Sequence, residues 1–138
     1  MDTALTTLTT TLKSNSYSLT KARKTVFLAL IDKEPQTMAE LVKAVGGKID
    51  RASIYRVIAL FEKLGIVERI QIGWKYKLEL SDVFRSHHHH ITCVKCGRTQ
   101  MFEESKLIEF ELKQLAEEAG FTETGHQLEL RGICTNCQ

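Results

Sequence analysis

Residues 87–97 read HHHHITCVKCG. Four consecutive histidines stand two residues ahead of a Cys-x-x-Cys pair, and a second pair, Cys134-Thr-Asn-Cys137, closes the 138-residue chain. All four cysteines fall after residue 90. In a reducing compartment pairs with this spacing read as a metal site rather than as disulfides. About fifty residues cannot bury a large core, so a structural ion would supply needed stability. Zinc bound tetrahedrally by Cys93, Cys96, Cys134 and Cys137 would clamp the last strand to the first knuckle. The interval between the pairs exceeds that of a compact zinc ribbon, so the segment inserted there should belong to the same domain.

If residues 87–92 are extended, alternate side chains face opposite ways. His87 and His89 then share one face, and His88 and His90 the other. Imidazoles at i and i+2 of a strand can chelate one ion, so the run of four can serve two. A purification tag fits poorly, because the run is short and internal; a solvated loop is the alternative that composition alone allows. Downstream the pattern predicts a strand near Thr99–Phe102, then the helix SKLIEFELKQLAEEAG. Ser105 caps that helix, and Leu107, Ile108, Leu112 and Leu115 lie on one side of it. GHQLELRGIC returns as an alternating strand into the second cysteine pair.

Upstream, the chain reads as a compact helical module. Thr20 caps a helix over KARKTVFLALI that buries Val26, Phe27, Leu30 and Ile31. Thr37-Met-Ala-Glu40 has capping-box spacing and opens a short helix to about Val45, ended by Gly46-Gly47. Asp50 caps DRASIYRVIALFEKLG, closed by Gly65, with Ile54, Val57, Ile58, Phe61 and Leu64 at core spacing. Arg51, Ser53, Tyr55 and Arg56 cluster in its first two turns, largely off that stripe. Polar groups at the start of a helix that follows a short helix and a tight connection suit a recognition helix. Arg can fork onto guanine or grip phosphate, and Tyr can bond phosphate or pack on sugar and thymine methyl. IVERIQI and WKYKLEL then alternate around Gly73 as a β-hairpin. Three helices and a hairpin make a winged helix-turn-helix; the alternative is a three-helix domain used only for protein contacts.

Charge divides the chain at the same place. Residues 1–86 carry 14 Lys+Arg against 9 Asp+Glu, a net of +5. Residues 87–138 carry 5 against 8, a net of −3, together with all five histidines. Two domains with different partners follow from that asymmetry. Apolar runs such as Val26–Ile31 and Ile54–Leu60 are far too short to span a bilayer. MDTALTTLTT lacks the basic start and apolar core of a signal peptide, so a cytoplasmic location is expected.

With these elements in place, the chain resembles the ferric uptake regulator family of metal-sensing repressors. ASIYRVIALFEKLGIVER, HHHHITCVKCG, the Ile-Glu of the following helix and HQLELRGICTNC carry the resemblance across nearly the whole chain. It implies an α+β protein: a winged-helix DNA-binding domain over 1–80, a hinge over 81–86 and a metal-binding α/β dimerisation domain over 87–138. It also implies a homodimer that binds a palindromic double-stranded operator when loaded with a regulatory divalent metal. By the same resemblance Cys93, Cys96, Cys134 and Cys137 are structural zinc ligands, and His87, His89, Glu109 and His126 form a second site. The hinge site takes His88 and His90 with Glu79 and Glu68, Asp82 being the alternative to Glu79. Tyr55 and Arg56 read DNA, Arg23 contacts phosphate or the minor groove, and Ser53 and Arg51 assist.

Two departures bear on the metal. Pro35 stands where iron and peroxide sensors often carry a histidine, and Met101 where they carry an acid. Both weaken a peroxide-sensing reading. Zinc sensors typically place a cysteine at the hinge, whereas each cysteine here belongs to the four-Cys set. Two histidines with two carboxylates can take zinc, iron or manganese. The expected function is therefore a repressor of zinc or iron homeostasis genes; a peroxide sensor of the same family and a zinc-binding scaffold or metal store are the alternatives. A catalytic zinc site with an open position for water finds no general base or pocket signature, so no enzyme is expected.

Overall fold

The computed structural model describes every residue except Gly73, so the turn expected around that glycine lies outside the described residues. Two compact units follow one another, Met1–Ser86 and His87–Gln138.

The first unit contains α1 (Asp2–Ser14), α2 (Lys21–Leu30), α3 (Met38–Val45), α4 (Arg51–Lys63) and the antiparallel pair β1 (Val67–Ile72) and β2 (Lys75–Leu80). The expected caps are in place. Thr20 Oγ1 accepts the Arg23 N–H, and Asp50 accepts the Ser53 N–H. Thr37 and Glu40 form both bonds of a capping box. Gly46 ends α3 in the left-handed region, at φ 65°, where a side chain would be strained. Leu8, Leu12, Val26, Phe27, Leu30, Leu41, Ile54, Phe61, Ile66, Leu78 and Leu80 form a single buried cluster. Ile31 and Leu64, expected within it, sit at the C-caps of α2 and α4 and are only partly buried.

Two features of this unit were not anticipated. MDTALTTLTT belongs to a helix, α1, which buries Leu8 and Leu12 on one side. Thr6, Thr7, Thr9 and Thr11 turn their hydroxyls back onto carbonyls four residues earlier. This satisfies polar groups that otherwise favour caps and turns. Gln36 adds a bridge to Leu78 through two backbone bonds, a one-residue extension of the wing sheet. The segment expected as a hinge packs within this unit. Phe84 meets Phe27 edge-on, the Ser81 N–H donates to Ile66 O, and Arg85 donates to the Lys33 carbonyl.

The second unit has a three-stranded sheet in the order β4 (Thr99–Glu103), β3 (His88–Cys93), β5 (Glu129–Gly132), and one helix, α5 (Lys106–Glu118). β3 pairs antiparallel with β4 and parallel with β5. Its interior is unlike that of the first unit. Among the described residues, Cys93, His89, His90 and Thr99 are its buried side chains, and α5 buries none. The apolar stripe expected on that helix is therefore turned to solvent within one chain, with Leu107 70 % and Leu115 59 % exposed. Ser105 occupies the N-cap position without the expected side-chain cap bond. The final strand is shorter than expected, so His126 lies in the irregular stretch before β5. Among the described residues no helix is long and apolar enough to cross a membrane.

Candidate metal centres and nucleic-acid interface

The four cysteines converge from two short knuckles. After Cys93 the chain reverses, Gly97 N–H donating to Cys93 O, and Gly97 takes φ 74°, which glycine alone adopts without strain. Val94 N–H donates to Gly132 O, and Cys134 N–H points at Cys93 Sγ at 3.4 Å, so the second knuckle is docked on the first. The four Sγ atoms lie within 4.8 Å of one another, with Cys96 and Cys134 3.8 Å apart. None of the four is joined in a disulfide. The Cys134 N–H, and then that of Cys96, hold the Cys93 thiol down at about 6. Cys137 is pushed up to about 12, first by its hydrogen bond with Cys134 and then by burial. Four soft donors of this kind suit zinc, and the cluster is compatible with a structural zinc site.

The strand period separates the four histidines as expected. The His87 and His89 rings lie 4.9 Å apart on one side, and the His88 and His90 rings 4.8 Å apart on the other. On the first side Glu109, from the first turn of α5, and His126 complete a second cluster with ligand atoms within 4.8 Å of one another. Glu109 Oε1 is 2.6 Å from His89 Nε2 and 3.5 Å from His87 Nε2, and its Oε2 is 3.0 Å from His126 Nε2. Burial raises the Glu109 carboxyl, but the His89 hydrogen bond and the charges of His126, His87 and His89 outweigh it and hold the group below its usual value. Three imidazoles and one carboxylate form a borderline donor set suited to zinc, iron or manganese.

The remaining candidates occur as one group in each unit. His88 is half-buried and His90 buried on β3. Glu68 and Glu79 are direct cross-strand partners in the β1–β2 hairpin, and Glu79 is buried. Opposed like charges destabilise a ladder unless a cation offsets them. The Arg85 guanidinium contributes here, 3.4 Å from Glu79 Oε2. Asp82 is exposed just beyond β2.

On α4, Arg51, Tyr55 and Arg56 are exposed, whereas Ile54, Val57 and Ile58 face inward. Arg51 Nη2 donates to Tyr55 Oη at 3.4 Å, and its guanidinium lies 5.7 Å from the Tyr55 ring centroid. The two side chains thus present one polar surface, one turn apart. Ser53 Oγ donates to Asp50 Oδ1 at 2.6 Å, which ties it to the cap. Arg23 donates to the Ser18 carbonyl and lies over the Tyr17 ring at 5.3 Å.

Over residues 14–131 the chain matches the profile described as "Ferric uptake regulator family". The chain belongs to the ferric uptake regulator family. Its members are metal-responsive transcriptional regulators, not enzymes; they bind DNA and are dimers. The chain is 42 % identical over 94 residues to the ferric uptake regulation protein of Legionella pneumophila, a match covering 67 % of each chain. It is 33 % identical over 133 residues to that of Bacillus subtilis, covering 91 % of this chain and 89 % of the other. Among solved structures, the Helicobacter pylori regulator superposes with a TM-score of 0.82 over 99 % of this chain and 92 % of its own; at 20 % identity the likeness is one of fold. The Francisella tularensis regulator, solved with iron, gives 0.72 at 28 % identity over 88 % and 94 %. A zinc-bound manganese uptake regulator gives 0.69 at 28 % over 93 % and 98 %.

Proposed function

We propose that this family member is a cytoplasmic, metal-dependent repressor that binds a palindromic operator as a homodimer and controls zinc or iron homeostasis genes. The observation that carries this reading is the alternation of the histidine run. His87 and His89 belong to a cluster inside the second unit, while His88 and His90 form a separate pair directly after the DNA-binding fold. In this reading Cys93, Cys96, Cys134 and Cys137 hold zinc for structure, and His87, His89, Glu109 and His126 bind a second ion. Glu68 and Glu79 from the wing join His88 and His90 to hold the regulatory ion.

The chemistry of each residue follows from its place. Glu68 and Glu79 oppose one another across the hairpin, with Arg85 beside Glu79, so a divalent ion held by the two carboxylates together with His88 and His90 offsets the remaining repulsion. His88 and His90 supply imidazole nitrogen donors from β3. Arg51, Tyr55 and Arg56 face the major groove, Ser53 holds the start of the helix, and Arg23 contacts phosphate or the minor groove. The unburied stripe of α5 supports a homodimer, because a helix with Leu107, Phe110 and Leu115 exposed needs a covering surface. A tenfold gain in operator affinity requires about 1.4 kcal/mol of differential metal affinity between the DNA-bound and free forms.

The peroxide-sensing alternative loses support at Met101. It is the register partner of His90, so a thioether stands where that chemistry uses a carboxylate. The relatives solved with iron and with zinc leave both ions open for this donor set. The test is binding to a duplex selected by the metal-loaded protein, with and without chelator, for the wild type and Arg56→Ala. The proposal expects chelation to release the wild type and Arg56→Ala to lose about 1–3 kcal/mol of specific binding with its zinc content unchanged. A protein whose binding ignores chelation, or a variant that loses its fold, would contradict it.

A further inference from the structure

The second metal cluster has a carboxylate behind it that the ligand pattern does not include. Glu123 Oε1 lies 2.5 Å from His126 Nδ1, three residues along the chain. The other ring nitrogen of His126 faces the cluster, with Nε2 3.0 Å from Glu109 Oε2 and 3.1 Å from His87 Nε2. Both side chains are well shielded, at 18 % and 21 % exposure.

His126 needs such a partner more than the other cluster histidines do. His89 is fixed in the centre of β3, and His87 immediately precedes that strand. His126 lies in the irregular stretch before β5, so no ladder bond sets its ring. An ionised carboxylate only accepts hydrogen bonds, and an imidazole offers one proton and one lone pair on its two nitrogens. A proton held on Nδ1 by Glu123 leaves Nε2 as the ring atom that bonds into the cluster. A carboxylate behind a ligating histidine raises its basicity and fixes both tautomer and orientation.

We propose that Glu123 is the positioning residue of the second metal site, holding His126 as the Nδ1–H tautomer with Nε2 aimed at the ion. This rests on the reading that His87, His89, Glu109 and His126 bind metal. Loss of Glu123 frees the ring to flip, and the site then keeps three preset ligands and one disordered one.

The experiment uses the full chain with zinc in its four-Cys site and His88→Ala/His90→Ala to silence the hinge. Zinc is titrated against a competing chelator, cobalt absorption reports the ligand set, and 15N-histidine spectra report the ring tautomer. Glu123→Ala is expected to weaken the site about 10–100-fold, to mix the His126 tautomers and to leave the four-Cys zinc in place. Glu123→Gln, whose Oε1 still accepts from Nδ1–H, is expected to recover most of the affinity with an unchanged cobalt spectrum. Wild-type affinity in Glu123→Ala alongside loss in His126→Ala would overturn the positioning role alone. A cobalt spectrum altered in Glu123→Gln as it is in Glu109→Gln would overturn it by making Glu123 a ligand. Wild-type affinity in His126→Ala would remove the site itself, and the proposal with it.

Discussion

Asp50 shows how one side chain prepares the surface proposed to read DNA. It accepts the Ser53 N–H and Ser53 Oγ–H together, at 3.0 and 2.6 Å, and so fixes the first turn of α4 from which Arg51, Tyr55 and Arg56 project. Its carboxyl is held below the usual value by the Ser53 side-chain bond first and the Ser53 backbone bond second. A depressed folded-state pKa means that this contribution is complete above the unfolded pKa and is lost as pH falls through the folded one. Thermal melts of wild type and Asp50→Ala are therefore expected to differ at neutral pH, to begin converging as pH falls below about 3.9, and to meet only below the lower folded-state pKa. Asp50→Asn, an equally good cap, is expected to melt close to wild type at neutral pH and to lack that pH dependence. A constant gap between wild type and Asp50→Ala across the range would show that the cap is not what Asp50 contributes. At this scale the sequence was informative wherever chemistry is local. The caps of the first unit, the Cys-x-x-Cys knuckles and the alternation of β3 each act over a few positions and appear where the letters place them, whereas Ser105 takes the N-cap position without a side-chain bond. Glu123 was not legible, because a lone glutamate three residues before a histidine carries no signal until both side chains are seen to meet.

Elements diverged from expectation where burial depends on distant partners. The threonines of α1 argue weakly for a helix, since β-branched residues lose side-chain freedom there. Leu8 and Leu12 nevertheless sit one turn apart and are fully buried, and that packing decides the helix over its propensities. Leu12→Ala is expected to cost about 2–5 kcal/mol in denaturant unfolding, within the usual range for buried leucine truncations. A cost near zero would mean that α1 does not belong to the core. The opposite divergence occurs on α5. Periodicity located its apolar stripe, but periodicity cannot say what covers a stripe. If the proposed homodimer is built on this stripe, Leu107→Asp is expected to shift it toward monomer in sedimentation without changing zinc content. An unaltered dimer would place the interface elsewhere. The irregular stretch before β5 likewise escaped the alternation rule, because FTETGHQL combines turn residues with few apolar ones.

Across the whole molecule, the two units are stabilised by different means. The first closes over an apolar cluster drawn from all four helices and the wing. The second buries Cys93, His89 and His90, two classes of metal donor, and leaves its helix exposed. In the proposed homodimer, metal and a second subunit stand in for a core, and that proposal makes the second unit's order depend on ions. The division was visible in the sequence as a change of charge and as the confinement of every cysteine and histidine to residues 87–138. The metal of the proposed hinge site was not, since two histidines and two carboxylates satisfy several divalent ions. In the proposed function His88 and His90 couple metal binding to DNA binding. This is tested by a metal titration of duplex binding by wild type and His88→Ala/His90→Ala at equal zinc content in the four-Cys site. A gain of at least about tenfold is expected for the wild type, equivalent to about 1.4 kcal/mol, and none for the variant. An equal gain in both would contradict the coupling.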